Sequence, residues 1–254
     1  MPAALGLLVL VAVAPSAGPV LAQPLDAATS FLEGNDAYEA GRFADAAAAY
    51  RRCYEGGAKG ADVLYNLGNA YAKQEQLGPA LAAYTAARRS APRDDDLLFN
   101  AERVAAQRAE QTPALPKGWL SSVALAFVDR HTLNELLVLA LLALIATTVM
   151  ATTALLRPRV SLRHALALAS CAVVLVLAAA SAWARYSQDY LHPHAFVAVA
   201  SATMRSGPGE HFDVTGSLSD GAEVEQVGEN GVWVDVRLTT GKRAWMRRSD
   251  LARL

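Results

Sequence analysis

The chain is poor in the residues that catalysis draws on. It has two cysteines, Cys53 and Cys171, with no metal-type spacing. Cys171 falls in an apolar run and Cys53 in an alanine-rich helical stretch. They are expected in different phases, which argues against a disulfide and against a Cys–His nucleophilic site. No glycine loop for phosphate is present, and Ser206 sits in a Gly-Pro turn rather than a nucleophile elbow. His192 and His194 flank Pro193 without further ligands in view, so they read as solvated histidines rather than a metal pair. Net charge is −1, and Lys and Arg are interspersed with Asp and Glu. No basic stripe exists, which excludes a nucleic-acid partner of the usual kind. The expectation is a non-enzyme with no catalytic residue, no metal and no cofactor.

Charge is missing altogether from two apolar runs, 136–156 and 165–184. About 20 helical residues cross the ~30 Å hydrocarbon core of a bilayer. Between the runs lies Arg157-Pro158-Arg159-Val160-Ser161-Leu162-Arg163-His164, with three arginines and no acid. Arginines close to a span stay in the cytoplasm. The pattern predicts a membrane hairpin: transmembrane helices at 132–157 and 164–186, and a cytoplasmic basic loop at 158–163. The alternative, a hairpin buried in a soluble core, rarely has two charge-free runs of this length. Residues 1–22 are apolar and close on Val20-Leu21-Ala22, a signal-peptide pattern without the usual basic front, so they are expected to be a signal peptide or an anchor. Both devices put 23 onward and the region after 186 on the same, non-cytoplasmic side. Glu135, at the head of the first run, reads as a solvated or snorkelling acid.

Residues 23–110 read as helical with a 34-residue period. Gly34 and Gly68, Asn35 and Asn69, Ala46 and Ala80, and Tyr50 and Tyr84 each stand 34 apart, and Asn66 and Asn100 continue the spacing. Units are expected at 27–60 and 61–94, with a capping helix from 95. Gly68 and Ala80 are small enough for two helices to approach closely, and Pro92 ends the second helix. This spacing, with Leu64, Leu67-Gly68, Tyr71, Ala80, Tyr84, Ala87 and Pro92, resembles the tetratricopeptide family. The resemblance implies a solenoid whose first helices line a peptide groove. The period aligns Phe31, Tyr65 and Phe99, four residues before Asn35, Asn69 and Arg103, with Lys73 four beyond Asn69. Residues i and i+4 share a helix face. These seven side chains are the expected partner-binding groove, the amides pairing with peptide backbone and Arg103 with a carboxylate. As surface residues, Asn69 and Arg103 are expected to tolerate alanine without loss of stability.

The prolines and glycine of 111–118 mark a linker, and 119–128 a short apolar-faced helix that suits the bilayer interface or packs on neighbouring helices, within a connecting segment 111–131. After it and the two runs, 195–254 turns to valine, glycine and alternation. Short strands are expected at 214–218, 222–227, 232–238 and 243–246, with turns at 228–231 and 240–242, hence a small barrel. Ala202-Thr203-Met204-Arg205-Ser206-Gly207-Pro208-Gly209, then Gly221, Trp233-Val234-Asp235-Val236, Gly241 and Ala244-Trp245-Met246 resemble bacterial SH3 domains. Phe212, Trp233 and Trp245 are the aromatic candidates for a peptide-binding surface, with at least one tryptophan expected in the core.

The fold class expected is therefore a multidomain membrane protein: an all-α tetratricopeptide-repeat solenoid, a transmembrane helical hairpin and a small all-β SH3-like barrel. The whole order resembles the BatE family of the Bat (Bacteroides aerotolerance) operon. That resemblance implies a multi-pass bacterial inner-membrane protein with both soluble domains periplasmic. It implies a scaffold or adaptor working beside von Willebrand A-domain Bat proteins in envelope or oxidative-stress tolerance. The alternative is a cell-wall receptor that binds peptidoglycan peptides and recruits envelope machinery.

Overall fold

The computed structural model describes residues 23–107, 119–157, 160–191 and 193–254. The expected leader at 1–22, the linker at 111–118, Pro158 and Arg159 of the basic loop, and His192 lie outside the described residues.

Helices α1 (Gln23–Glu39), α2 (Phe43–Glu55), α3 (Ala61–Lys73), α4 (Leu77–Arg88) and α5 (Asp95–Ala105) pack each on the next. The 34-residue period has an exact physical counterpart. A Cβ at Gly34 would lie 2.5 Å from the Tyr50 ring, and one at Gly68 would lie 2.5 Å from the Tyr84 ring. In both hairpins the tyrosine of the second helix occupies the space that glycine leaves on the first. The Tyr50 hydroxyl donates to Asn35 Oδ1 at 2.8 Å, and the Tyr84 hydroxyl to Asn69 Oδ1 at 2.7 Å. Each buried phenol thus has its acceptor built one residue after the glycine that admits the ring. α5 begins on an Asp94 cap, whose Oδ1 accepts from Leu97 N at 2.9 Å, and covers the last apolar face.

After α6 (Trp119–Asp129) come α7 (Leu133–Leu155) and α8 (Leu162–Tyr186), packed against each other; a single π-helical turn, Ser187–Leu191, extends α8 beyond the expected end at 186. Both long helices are apolar enough to cross a membrane. A core helix of a soluble protein would be mostly covered, yet only 11% of each apolar window is buried. Leu141, Leu142, Val149, Val176 and Leu177 all face outward. The hydroxyls of Thr147, Thr148, Thr152, Ser170 and Ser181 each donate to the carbonyl four residues back, so the few polar groups of this surface are satisfied within their own helix. Glu135 is not merely solvated. It closes a capping box with Thr132 and takes a 2.6 Å ion pair from Arg93.

The β domain comprises β1 (His194–Val197), β2 (Ser201–Arg205), β3 (Val214–Ser219), β4 (Glu223–Asn230), β5 (Trp233–Leu238), β6 (Arg243–Arg247) and β7 (Leu251–Ala252). They form one antiparallel sheet in the order β3-β2-β6-β5-β4-β1-β7, with Ala202, Val224, Val234, Val236 and Met246 at the centre of its core. The turn expected at 228–231 is shorter: β4 runs on to Asn230 because a bulge between Gln226 and Gly228 absorbs the extra residue. Only Gly231, at φ +61°, and Val232 remain to turn the chain.

The β domain is locked onto the helices. The backbone donors opening α4 find no partner nearby, because Gln76 caps nothing with its side chain and Pro79 has no N–H. Asp220 supplies the acceptor from 142 residues away. Its Oδ1 accepts from Gly78 N at 2.9 Å and its Oδ2 from Leu77 N at 3.0 Å. Val197 O lies so close that a Cβ on Gly78 would meet it at 1.8 Å. Phe196 is buried in the helical core rather than in the barrel's own, and Arg89 Nη1 donates to Leu254 O at 3.1 Å. A second joint ties α4 to α8. Buried Arg185 pairs with Asp189 at 3.0 Å and donates to Arg88 O at 3.4 Å, while Arg89 approaches Asp189 at 3.8 Å. Helices α1–α5 and the β domain therefore sit together at one end of the apolar hairpin, opposite Arg157.

Candidate functional site

The pleat of β5 and β6 divides their side chains between two faces. Val234, Val236, Ala244 and Met246 enter the barrel core. Trp233, Asp235, Arg243, Trp245 and Arg247 take the other face. The register sets Trp233 opposite Arg247, and Trp245 opposite both Asp235 and Arg205. Trp233 is the more buried of these two tryptophans, at 9% exposure, yet it lies outside the cluster that fills the barrel. The guanidinium carbons of Arg205 and Arg247 lie 5.9 and 5.8 Å from its ring centroid. Those distances suit cation–π contact. Glu210 holds both arginines in place, pairing with Arg205 Nη2 at 3.3 Å and with Arg247 Nη2. The Arg247 bond keeps the Glu210 carboxyl below the usual carboxylate range.

A cavity of about 620 Å³ opens beside this cluster, floored by Trp233 and walled by Val232, Arg247, Arg248, Ser249 and Glu210. Val232 is 67% exposed at its lip. The wall guanidiniums are paired within the chain, Arg247 with Glu210 and Arg248 with Glu229, so an apolar floor with these walls fits an extended peptide whose carboxylates exchange with those of the two glutamates. Of the three expected aromatics, only Trp233 lines the cavity. Phe212 lies on Gly207, where a Cβ would come within 2.4 Å of its ring, and stacks beside His211 at 4.3 Å. Trp245 shares the face of Trp233 without reaching the cavity. Arg205, Glu210, Val232, Arg247 and Arg248 were missed in the sequence. The alternation of β5 and β6 would have found Arg247 through its pairing with Trp233, whereas Glu210 comes from a loop and Arg248 from a single 3-10 turn, neither of which a period places.

The groove residues fall into two groups. Phe31 packs on Tyr50 with centroids 5.9 Å apart, and Tyr65 on Tyr84 at 6.2 Å, so both are half-buried parts of their hairpins. Phe31 also lines an apolar cavity of about 580 Å³ with Ala27, Cys53 and Val63. Burial pushes the Cys53 thiol up, so this sulfur stays protonated. The third aromatic, Phe99, is 64% exposed. Lys73 and Arg103 are exposed as well. The amide oxygens of Asn35 and Asn69 are occupied by tyrosine hydroxyls, and Asn69 Oδ1 also accepts from Asn100 Nδ2 at 3.2 Å. The expectation that Asn69 is a dispensable surface residue is therefore corrected: it holds the acceptor of the buried Tyr84 phenol. Tyr38 lies on the same helix face as Phe31 and Asn35 and packs edge-on against Phe43 at 5.2 Å; burial raises the pKa of its phenol, against the opposing charge of Arg103. Helix periodicity could have found it, since 31, 35 and 38 follow the i, i+4, i+7 pattern.

Comparison with known families matches residues 200–252 to the bacterial SH3 domain model. The matched stretch runs from β2 to β7 and includes Trp233 and its cavity. Strand β1, which carries Phe196 and Val197 into the helices, precedes it. No curated protein matches the chain.

Proposed function

We propose that the chain is a membrane-anchored scaffold rather than an enzyme, with a bacterial SH3 domain and tetratricopeptide-like repeats presenting peptide-binding surfaces on one side of a bilayer. The observation that carries this reading is the open cavity over Trp233 within the matched SH3 domain. Bacterial SH3 domains are binding modules for protein or peptidoglycan, and this cavity has the apolar floor and polar walls that peptide recognition needs. The three-arginine loop supports a periplasmic placement of both soluble parts in an inner membrane. The BatE-like order of parts supports envelope proteins, with von Willebrand A-domain Bat proteins first among them, as partners. Photocrosslinking from positions 99 and 232 of the full chain in native membranes tests this. Crosslinks to envelope proteins that vanish with Trp233→Ala support the scaffold, and their absence from both positions refutes it.

A second reading is favoured by the guanidinium walls of the cavity: carboxylate-bearing stem peptides of peptidoglycan would pair with Arg247 and Arg248. Sedimentation of the detergent-solubilised full chain with purified wall separates the readings. Retention by the wall, lost in Trp233→Ala, favours the receptor; no retention leaves the scaffold.

A further inference from the structure

A third cavity, of about 410 Å³, lies where helices α1–α5 meet the ends of the apolar hairpin. Its wall combines Lys59 and Arg89 from the helical part with Thr132, Leu133 and Asn134 at the head of α7 and with Tyr190 just past α8. Two independent markers give its depth. The first is the start of the apolar helix itself at Leu133. The second is a ladder of exposed aromatics on the other helix, Trp183 to Tyr186 at 6.0 Å and Tyr186 to Tyr190 at 5.2 Å, of the kind that settles at the headgroup level of a bilayer.

The charges at this level are unequal. Asp189, the carboxylate of the cavity, is engaged by Arg185 at 3.0 Å and lies 3.8 Å from Arg89. Arg89 also donates to Leu254 O. Lys59 makes no ion pair among the described residues, and its ammonium hangs 5.7 Å from the centroid of the Tyr54 ring. The side chains facing the space thus set two cations against one carboxylate that is already paired with a third cation. The head of α7 adds little, because its capping box uses its own donors internally. The Asn134 amide, exposed at the rim, is a further donor.

We propose that this cavity binds a phosphate group at the membrane surface, clamped between Lys59 and Arg89, and that its source is the headgroup of an anionic phospholipid. A juxtamembrane cation contributes enough attraction to anionic lipid that losing one weakens binding about five-fold. The site lies outside the Trp233 cavity and does not depend on the scaffold reading; it does depend on the hairpin lying in a bilayer, which membrane fractionation of the full chain checks separately.

The test uses the full chain in non-ionic detergent, with bound lipid counted by native mass spectrometry against added phosphatidylglycerol or phosphatidylcholine. One phosphatidylglycerol is expected to bind more tightly than phosphatidylcholine. Lys59→Gln, which removes only the ammonium over Tyr54, should weaken phosphatidylglycerol about five-fold, and Arg157→Gln at the opposite end of the hairpin should not. Failure of millimolar inorganic phosphate to displace the lipid supports the headgroup as source. Displacement by inorganic phosphate, with Lys59→Gln losing the phosphate, refutes the lipid as source and assigns the site to the free anion. Equal binding of phosphatidylglycerol by wild type and Lys59→Gln overturns the site.

Discussion

Gly78→Ala is expected to open the joint between the SH3 domain and the helices. The added Cβ would stand 1.8 Å from Val197 O, and both atoms belong to backbone-fixed positions. No rotamer relieves the contact. Restoring a normal separation of about 3 Å or more requires the two parts to move apart by roughly 1 Å. The Asp220 bonds to Leu77 N and Gly78 N start at 3.0 and 2.9 Å, so the same movement takes both out of hydrogen-bond range. Removing a helix cap costs about 0.5–2 kcal/mol, and exposing a buried phenylalanine such as Phe196 about 1.5–3 kcal/mol more. Asp220→Ala alone should therefore speed exchange of the Leu77 and Gly78 amides by about thirty-fold, the equivalent of ~2 kcal/mol. Gly78→Ala should have the larger effect and extend it to β1. The double variant should match Gly78→Ala, because the first change has already broken the bonds that the second removes. Hydrogen exchange on the full chain reads all three. Additive effects, or a Gly78→Ala effect under about 0.5 kcal/mol, would refute the reasoning.

Other expectations follow from the same geometry. Asn69→Ala strands the Tyr84 phenol and should cost about 1–3 kcal/mol by denaturant titration; adding Tyr84→Phe should recover part of it, and Arg103→Ala should stay within about 0.5 kcal/mol. Trp233→Ala should abolish ligand capture by the SH3 domain, whereas Phe212→Ala, outside the cavity, should leave it within about two-fold in a binding isotherm. His194 donates to Glu223 at 2.9 Å, and that bond raises its pKa above the ordinary value of about 6.5. Its small contribution to stability is present below that value and lost as pH rises through the raised one; an NMR titration should show the shift collapsing in Glu223→Gln. Reporters fused beyond Leu254 and within residues 158–163 should fall on opposite sides of the membrane, and agreement between them would remove the hairpin reading.

Much of the architecture was legible because periodicity carries it. Gly34, Asn35 and Tyr50 repeat at Gly68, Asn69 and Tyr84, and the repetition is of one packing device: a ring over a glycine with its hydroxyl on the next amide. The charge-free runs announced α7 and α8 just as directly. What the period could not give was the use of each amide. The same 34-residue spacing places Asn69 on the groove face and also within reach of Tyr84, and only coordinates decide how its oxygen is spent. In the β domain, alternation announced the strands at 222–227 and 232–238. It gave no warning that Arg205 would reach over Trp233 from β2, or that the Gly209–Phe212 loop would bring Glu210 beside Arg205 and Arg247.

The joint between the parts left one faint trace in the sequence. Gly78 stands in the first turn of an otherwise good helix, followed by Pro79. Glycine costs a helix about 1 kcal/mol relative to alanine, so its place there implies a neighbour that admits no Cβ. The neighbour is the backbone of β1, more than a hundred residues later, beyond both apolar helices. The contact has a topological consequence. A chain that leaves the helical part, passes through α7 and α8 and returns to touch Gly78 must have crossed any bilayer holding those helices an even number of times. The Arg93–Glu135 pair at the head of α7 and the Arg185–Asp189 pair at the end of α8 mark the two ends of that excursion at one level. The proposed same-side placement of the two soluble parts therefore draws support from a packed interface as well as from the arginines of the loop, and a perturbation that opens the interface is expected to leave the proposed insertion of the hairpin intact.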